Sequence, residues 1–266
     1  MNDRVTISIV DGVADVRLAR PEKMNALDPA MFQALSAAGE RLKTEAALRA
    51  VVLSGEGRAF CAGLDMASFA AIGATEASPM RDLKARTHGL ANLFQHVAWV
   101  WRDVPVPVIA AVHGVAFGGG LQIMLGADMR YVAPDTQLSI MEIKWGLVPD
   151  MAGTQLMRNL AREDIVRELT YTGRVFSGTE AQQYGFATRV SNDPRSAAFE
   201  TAREIAAKSP HAIRAAKRLL NGASSSATAE GLLAESIEQQ ALIRSPNQLE
   251  AVYANMQKRA PRFSDR

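Results

Sequence analysis

The sequence predicts an α/β protein: an α/β core followed by an α-helical end. Three observations predict it. Through the first half of the chain, short strand signals alternate with helical ones. A buried-strand signal over residues 106–112 then leads through His113 and Gly114 to three consecutive glycines, Gly118, Gly119 and Gly120. These open an apolar stretch that runs to about Gly126. From about Pro194 onward the chain reads mostly as helix.

Taken in order, Val5, Ile7 and Ile9 alternate with polar residues, Asp11-Gly12 signals a hairpin turn, and Val16 and Leu18 continue in a second strand. Asp28-Pro29 reads as an N-cap with proline at the first helical position. Phe32, Leu35 and Leu42 then share one helical stripe, ending near Lys43. Residues 50–53 form a short buried strand entering the loop 54–66. Small residues without a period from Ala67 to Ala77 predict a mobile loop. Ser78-Pro79 is expected to open a long amphipathic helix with Leu83, Thr87, Leu90, Phe94 and Val97 on one face, stopped by Pro105 and Pro107. Further on come a strand near 129–132, a loop and helix start over 138–153, and helices over 194–208, 210–220, 227–243 and 248–258.

Composition narrows the function classes. With 48% hydrophobic and 22% charged residues, 266 residues are enough to bury a large core. A net charge of +2 without a basic tract excludes a nucleic-acid partner from the expectations. Cys61 is the single cysteine, so no intrachain disulfide can form and a reducing, cytoplasmic setting is expected. No signal-peptide core or apolar run of membrane-spanning length is evident, which predicts a soluble chain without a membrane partner. His88, His96, His113 and His211 have no ligand spacing, and no metal is expected.

The glycine junction carries the chemistry. Without Cβ atoms the backbone there can come close to a ligand, and the first N–H groups of the helix have no internal acceptor. An anion, or an oxygen becoming one, would be stabilised by them. No Lys follows the glycines as a phosphate P-loop requires, and no Gly-x-Ser-x-Gly elbow occurs. A backbone donor offered to a carbonyl oxygen remains.

Residues 20–28 (RPEKMNALD), 58–65 (RAFCAGLD) and 107–114 (PVIAAVHG) with the glycines, together with 149–155 and 212–217, resemble the crotonase, or enoyl-CoA hydratase/isomerase, family. The likeness covers nearly the whole chain. It implies a spiral of ββα units, an acyl-CoA-binding catalytic core over 1–195, and a helical oligomerisation region over 196–266. It further implies a homotrimer or dimer of trimers, an acyl-CoA thioester substrate, and no cofactor apart from the coenzyme A of the substrate. By motif match the thioester oxygen would be held by the N–H groups of Leu64 and Gly119. Lys23, Ala26, Ala62, Asp65 and Met66 would border the substrate. Arg20 and Lys23 read either as surface charges or as partners of the CoA phosphates. Cys61 reads as a small packed residue rather than a nucleophile, and His113 as structural.

Hydratases of the family work with two glutamates on one water. The first falls on Gln122, three residues past Gly119, which can orient a water but cannot exchange a proton. The second matches Glu142, whose apolar neighbours argue against a solvated charge. Asp150 stands where many hydratases have glycine and is similar to an acid of dienoyl-CoA isomerases. It reads alternatively as the cap of a following helix. Those isomerases also carry an acid where Gln122 stands, so the match to them is incomplete. The reading favoured is isomerisation of a double bond by Glu142 and Asp150. The alternatives are a hydratase in which Glu142 acts on a water held by Gln122, where an acid in place of Gln122 would raise hydration, and a CoA-ester-binding or assembly protein with little chemistry.

Overall fold

The chain begins with an antiparallel hairpin, β1 (Val5–Val10) and β2 (Val13–Leu18), closed at Asp11-Gly12 where both residues have positive φ. In this computed structural model residues 4–65, 67–68 and 82–265 are described. Three further strands join β2 in parallel: β3 (Ala50–Gly55), β4 (Val108–Val112) and β6 (Met129–Val132). With β9 (Arg189–Val190) they make a six-stranded sheet in the order β1-β2-β3-β4-β6-β9. Successive strand residues face opposite sides. In β3, Val51 and Leu53 join the larger core and Ala50 and Val52 the smaller one, so both faces are covered and all six residues are buried.

Helices α1 (Pro29–Lys43) and α2 (Leu93–Asp103) cover the first face. Asp28 caps α1 as the sequence suggests, its carboxylate accepting the Met31 N–H at 2.8 Å. Phe32 and Phe94 meet edge to face, with centroids 5.0 Å apart. A Cβ at Gly39 would lie 2.3 Å from a Val100 methyl, so α1 approaches α2 too closely for any larger residue there.

The helix expected from Ser78 begins instead at Leu93. Asn92 accepts from the Gln95 N–H while Gln95 accepts from the Asn92 N–H, a reciprocal cap that starts the helix there. Ahead of it, Asp82 accepts the N–H groups of Lys84 and Ala85, and His88 and Ala91 pair around Gly89. Leu90 is exposed, so the apolar face predicted through Leu83, Thr87 and Leu90 does not form. Ser78-Pro79, most of the loop from Ala67 to Ala77, and Met66 lie outside the described residues.

After β4, Gly114 (φ +66°) turns the chain into a second sheet of three strands, ordered β5 (Val115–Phe117), β7 (Gln137–Ser139) and β8 (Phe176–Ser177). These strands are two or three residues long and carry no readable alternation. Between them run α3 (Gly119–Leu125), a 3-10 turn (Glu142–Trp145), α4 (Gly153–Met157) and α5 (Glu163–Thr172), with α6 (Gly178–Tyr184) after β8.

Helix α7 (Pro194–Ala206) lies across the sheet's second face through Ala197, Ala198 and Ala202. The boundary expected after residue 195 thus falls inside a helix that packs on the core. The end of the chain is helical: α8 (Pro210–Ala223), α9 (Thr228–Leu242) and α10 (Pro246–Met256). Lys217 fastens α8 to the core. It is 6% exposed and donates to the Trp101 and Val106 carbonyls and, at 2.7 Å, to Asp128. Burial lowers its pKa, partly offset by Asp128.

Removing that ammonium leaves three acceptors without their donor. Lys217→Met is expected to lower unfolding free energy by about 2–3 kcal/mol, less than a fully buried pair because Asp128 keeps part of its hydration. Urea denaturation checks this, and an unchanged midpoint would show that α8 is held by its apolar face alone.

Candidate active site

Three backbone segments lie side by side at the C-terminal ends of β2, β3 and β4. Leu27 donates to the Gly63 carbonyl and Asp65 donates to the Leu27 carbonyl. Cys61 donates to the Val115 carbonyl and Phe117 to the Cys61 carbonyl. Residues 61–65 are therefore held between 24–27 and 115–119. A trans peptide points its C=O and N–H in opposite directions. Because the Gly63 C=O faces Leu27, the Leu64 N–H is aimed to the other side, toward the glycines. A Cβ placed on Gly63 would lie 3.8 Å from the Gly119 nitrogen. The Gly118 C=O accepts from Gln122, so the Gly119 N–H points out of the first turn of α3. Two backbone donors with no protein acceptor among the described residues thus stand at one spot.

The polar frame behind this spot was only partly legible. Asn25, fully buried at φ +55°, accepts from the Arg20 N–H and donates to the carbonyls of Glu56 and Ala59. It ties the 20–27 segment to the loop after β3. A polar residue between Met24 and Ala26 was its signal. Arg20 is buried, not a surface charge: its guanidinium donates to the Ala26 carbonyl and pairs with Asp65 at 2.7 Å and Asp28 at 3.6 Å. The Arg20 hydrogen bond holds the Asp65 carboxyl below the usual range, and Asp65 also caps the N–H groups of Ala67 and Ser68. Lys23 is exposed on a 3-10 turn, Ala26 is buried, and Ala62 is half-buried and donates to the Met24 carbonyl. His113 donates from Nε2 to the Gly57 carbonyl, in keeping with a structural role.

The carboxylates come from the other side. Glu142 opens the 3-10 turn and is 9% exposed, yet Ile143, Trp145, Leu147 and Val148 around it are exposed. Its burial comes from tertiary contacts, not from those apolar neighbours. A Cβ on Gly118 would be 3.2 Å from Glu142 Oε1, which places the carboxylate against the glycine junction. Oε1 accepts from Gln122 Nε2 at 2.6 Å, whereas Oε2 is buried without a partner. Gln122, 2% exposed, also accepts the N–H groups of Met151 at 2.8 Å and Gly153 at 2.9 Å on its Oε1. Two donors on one atom identify it as the oxygen and occupy both its lone pairs. A water between Gln122 and Glu142 has no room at 2.6 Å.

Asp150 follows on the same loop. It does not cap α4, whose N-cap is Ala152 in a left-handed conformation with no side-chain bond. Its side chain remains accessible, while the surrounding protein withholds solvent and raises its pKa. Burial likewise raises that of Glu142, opposed by the Gln122 hydrogen bond and reinforced by Asp150. Both groups bind protons more tightly folded than unfolded. Their contribution therefore favours the fold at acid pH and is lost as pH rises through the folded values. The site is held at some expense to stability.

The fold has counterparts among known proteins. The Enoyl-CoA hydratase/isomerase family model matches residues 8–266. The chain belongs to the enoyl-CoA hydratase/isomerase family. It is an enzyme of that family, with the mixed α/β crotonase-like fold. It is 31% identical over 255 residues to the mitochondrial Delta(3,5)-Delta(2,4)-dienoyl-CoA isomerase of Mus musculus, covering 93% of this chain and 77% of that one. It is 30% identical over 260 residues to the mitochondrial methylglutaconyl-CoA hydratase of Homo sapiens, covering 95% and 74%. The crystal structure of an enoyl-CoA hydratase from Bacillus anthracis superimposes with a TM-score of 0.90 at 29% identity, covering 99% of this chain and all of that one.

Among the described residues no group of three or more His, Cys, Asp and Glu side chains is arranged to hold a metal ion. No helix of the described residues is long and apolar enough to cross a membrane. Cys61 is fully buried, its thiol pushed up to about 12 by burial and donating to the Asn25 carbonyl. A thiol so protonated is a poor nucleophile. Native protein should resist thiol alkylation over a period in which urea-unfolded protein is fully labelled. Mass spectrometry reads this directly, and rapid native labelling would return Cys61 to the candidates.

Proposed function

We propose that this enzyme shifts double bonds in an acyl-CoA thioester. The observation that carries the reading is the Glu142 carboxylate lying against the glycine junction with its two unused backbone donors, while Asp150, on the loop that Gln122 holds, acts on the charge of Glu142. The N–H groups of Leu64 and Gly119 take the thioester oxygen, with Lys23, Ala26, Ala62, Asp65 and Met66 bordering the substrate. Glu142 removes a proton from the acyl chain through its unpartnered Oε2, and the electron pair moves through the conjugated system onto the thioester oxygen. Two fixed donors stabilise that charge by about 2.7–4 kcal/mol each, the range found for single oxyanion-hole donors. Asp150, in its protonated form, returns one at a carbon further along. The charge collapses, the double bonds have shifted toward the thioester, and no atom is gained. No cofactor beyond the substrate's own coenzyme A enters this scheme.

Gln122 supports isomerisation over hydration because it supplies no second carboxylate to activate water. A hydratase relative at similar identity keeps the other reaction as the rival, with Glu142 acting alone on a water. The buried free cysteine supports a reducing, cytoplasmic setting. Homotrimers or paired trimers are the proposed assembly: Leu220, Leu232, Leu233 and Ile237 leave an apolar face on α8 and α9 uncovered.

The test is a parallel assay on a 3,5-dienoyl-CoA and a short 2-enoyl-CoA. Glu142→Gln should lose about 10²–10⁴-fold in kcat, the usual weight of a general acid or base. Asp150→Asn should suppress double-bond migration with KM little changed. Gly119→Val should abolish turnover, since its first carbon alone would meet Met151 and Leu27 at 2.7 and 2.8 Å. Robust hydration by the parent, untouched by Asp150→Asn, would sink the isomerase reading. Separately, light scattering at micromolar concentration should give a trimer or hexamer, and a monomer would overturn the proposed assembly.

A further inference from the structure

We infer that Gln122 is a positioning residue whose single amide binds Glu142 and the loop bearing Asp150 into one unit, leaving Glu142 Oε2 as the reactive oxygen. The inference rests on the proposed role of Glu142 as the base. Its grounds are geometric. The Gln122 nitrogen is 2.6 Å from Glu142 Oε1, and the oxygen of the same amide takes the Met151 and Gly153 N–H groups on either side of Ala152. Asp150 immediately precedes Met151. A Cβ on Gly153 would be 2.5 Å from Gln122 Oε1, so glycine is what lets the loop come close enough to be held. The two oxygens of Glu142 are thereby made unequal: one is tied, the other is buried and unpartnered.

Donors on one side of the amide and an acceptor on the other distinguish this role from water holding. Methionine in place of Gln122 keeps the bulk but loses all three bonds. Glutamate in its place keeps the shape. At 2.6 Å two carboxylates cannot both be charged, so the pair retains one proton. The protonated form of the introduced glutamate donates to Glu142 as the amide does. Of the charged groups on the elements packed around the pair, Asp150 acts on Glu142. His96, Arg102 and Asp103 of α2, Lys144 of the 3-10 turn, Arg158 after α4, and Glu163, Asp164, Arg167 and Glu168 of α5 are not among the groups that shift it.

The experiment compares Gln122→Met, Gln122→Glu and Glu142→Gln on whichever of the two reactions the parent runs, with pH profiles of kcat. Gln122→Met should lose about 10²-fold in kcat, the order expected of a misplaced group, with KM nearly unchanged. Its acid limb should move to higher pH, because the bond that steadies the Glu142 carboxylate is gone. Gln122→Glu, which retains the shape if the methionine variant fails to fold, should lose less kcat than Gln122→Met and gain no hydration. In protein carrying 13C-labelled glutamate carboxyls it should show two coupled titration steps, the upper one above the parent's Glu142. Parent kcat and an unmoved acid limb in Gln122→Met, with a single titration step in Gln122→Glu, would overturn the inference while Glu142→Gln stays inactive. So would increased hydration by Gln122→Glu, since it would mean that a water sits between the two side chains. Parent turnover by Glu142→Gln would remove the base itself, and this inference with it.

Discussion

Backbone packed against backbone, with no room for a side chain, is the constraint on which the rest of this molecule depends. A Cβ at Gly120 would sit 2.3 Å from the Cys61 carbonyl, one at Gly63 would sit 2.6 Å from the Phe117 carbonyl, and one at Gly114 would strike the Arg58 carbonyl. These three positions bring the 58–65 loop and the β5–α3 junction together. Gly118, at φ +49° and ψ −116°, turns the chain between strand and helix in a conformation that other residues rarely adopt. Once the two loops are in contact, the Leu64 and Gly119 N–H groups face one place and Glu142 rests on the glycine beside them.

Such an approach leaves backbone polar groups short of water, and buried side chains supply what they need. Asn25 serves the loop after β3, Arg20 holds the Ala26 carbonyl between two carboxylates, Lys217 holds the Trp101 and Val106 carbonyls, and Arg130 donates to the carbonyls of Ala127 and Phe186. Each is a charged or amide group whose burial is offset by hydrogen bonds to backbone carbonyls. Loss of one partner would leave an unpaired group in a low-dielectric interior, which is why these side chains set the loops more firmly than apolar contact alone would.

At the site the same physics is turned to a different end. Glu142 is engaged on one oxygen only, and Asp150, still accessible, has its pKa raised by the surrounding protein and caps no helix. Both carboxyls therefore have raised pKa values at a cost in stability, whereas Arg20 holds Asp65 below the usual carboxylate range. Unequal oxygens on Glu142 and a raised pKa on both groups support the proposed acid–base role.

The sequence by itself determined the local elements: the hairpin at Asp11-Gly12, the capped helix from Pro29 to Lys43, the strand before the glycines and the helical end, because turn residues, caps and periodicity act within a few positions. It also brought Glu142, Asp150 and Gln122 forward, through motif order. It did not show where α2 starts, since the Asn92–Gln95 cap competes with an apolar pattern that tertiary packing leaves unused. Nor did it show β5, β7 and β8, which are too short for a period and exist only because they pair with one another. Arg20 read either as a surface charge or as a partner of the CoA phosphates, and Gln122 as a side chain able to orient a water, because the groups they bond to, Asp65 in one case and Met151, Gly153 and Glu142 in the other, lie far off in the chain. Tertiary structure alone decided these roles: a side chain's chemistry is set by the groups that fold onto it, and sequence spacing records only those on its own helix or strand.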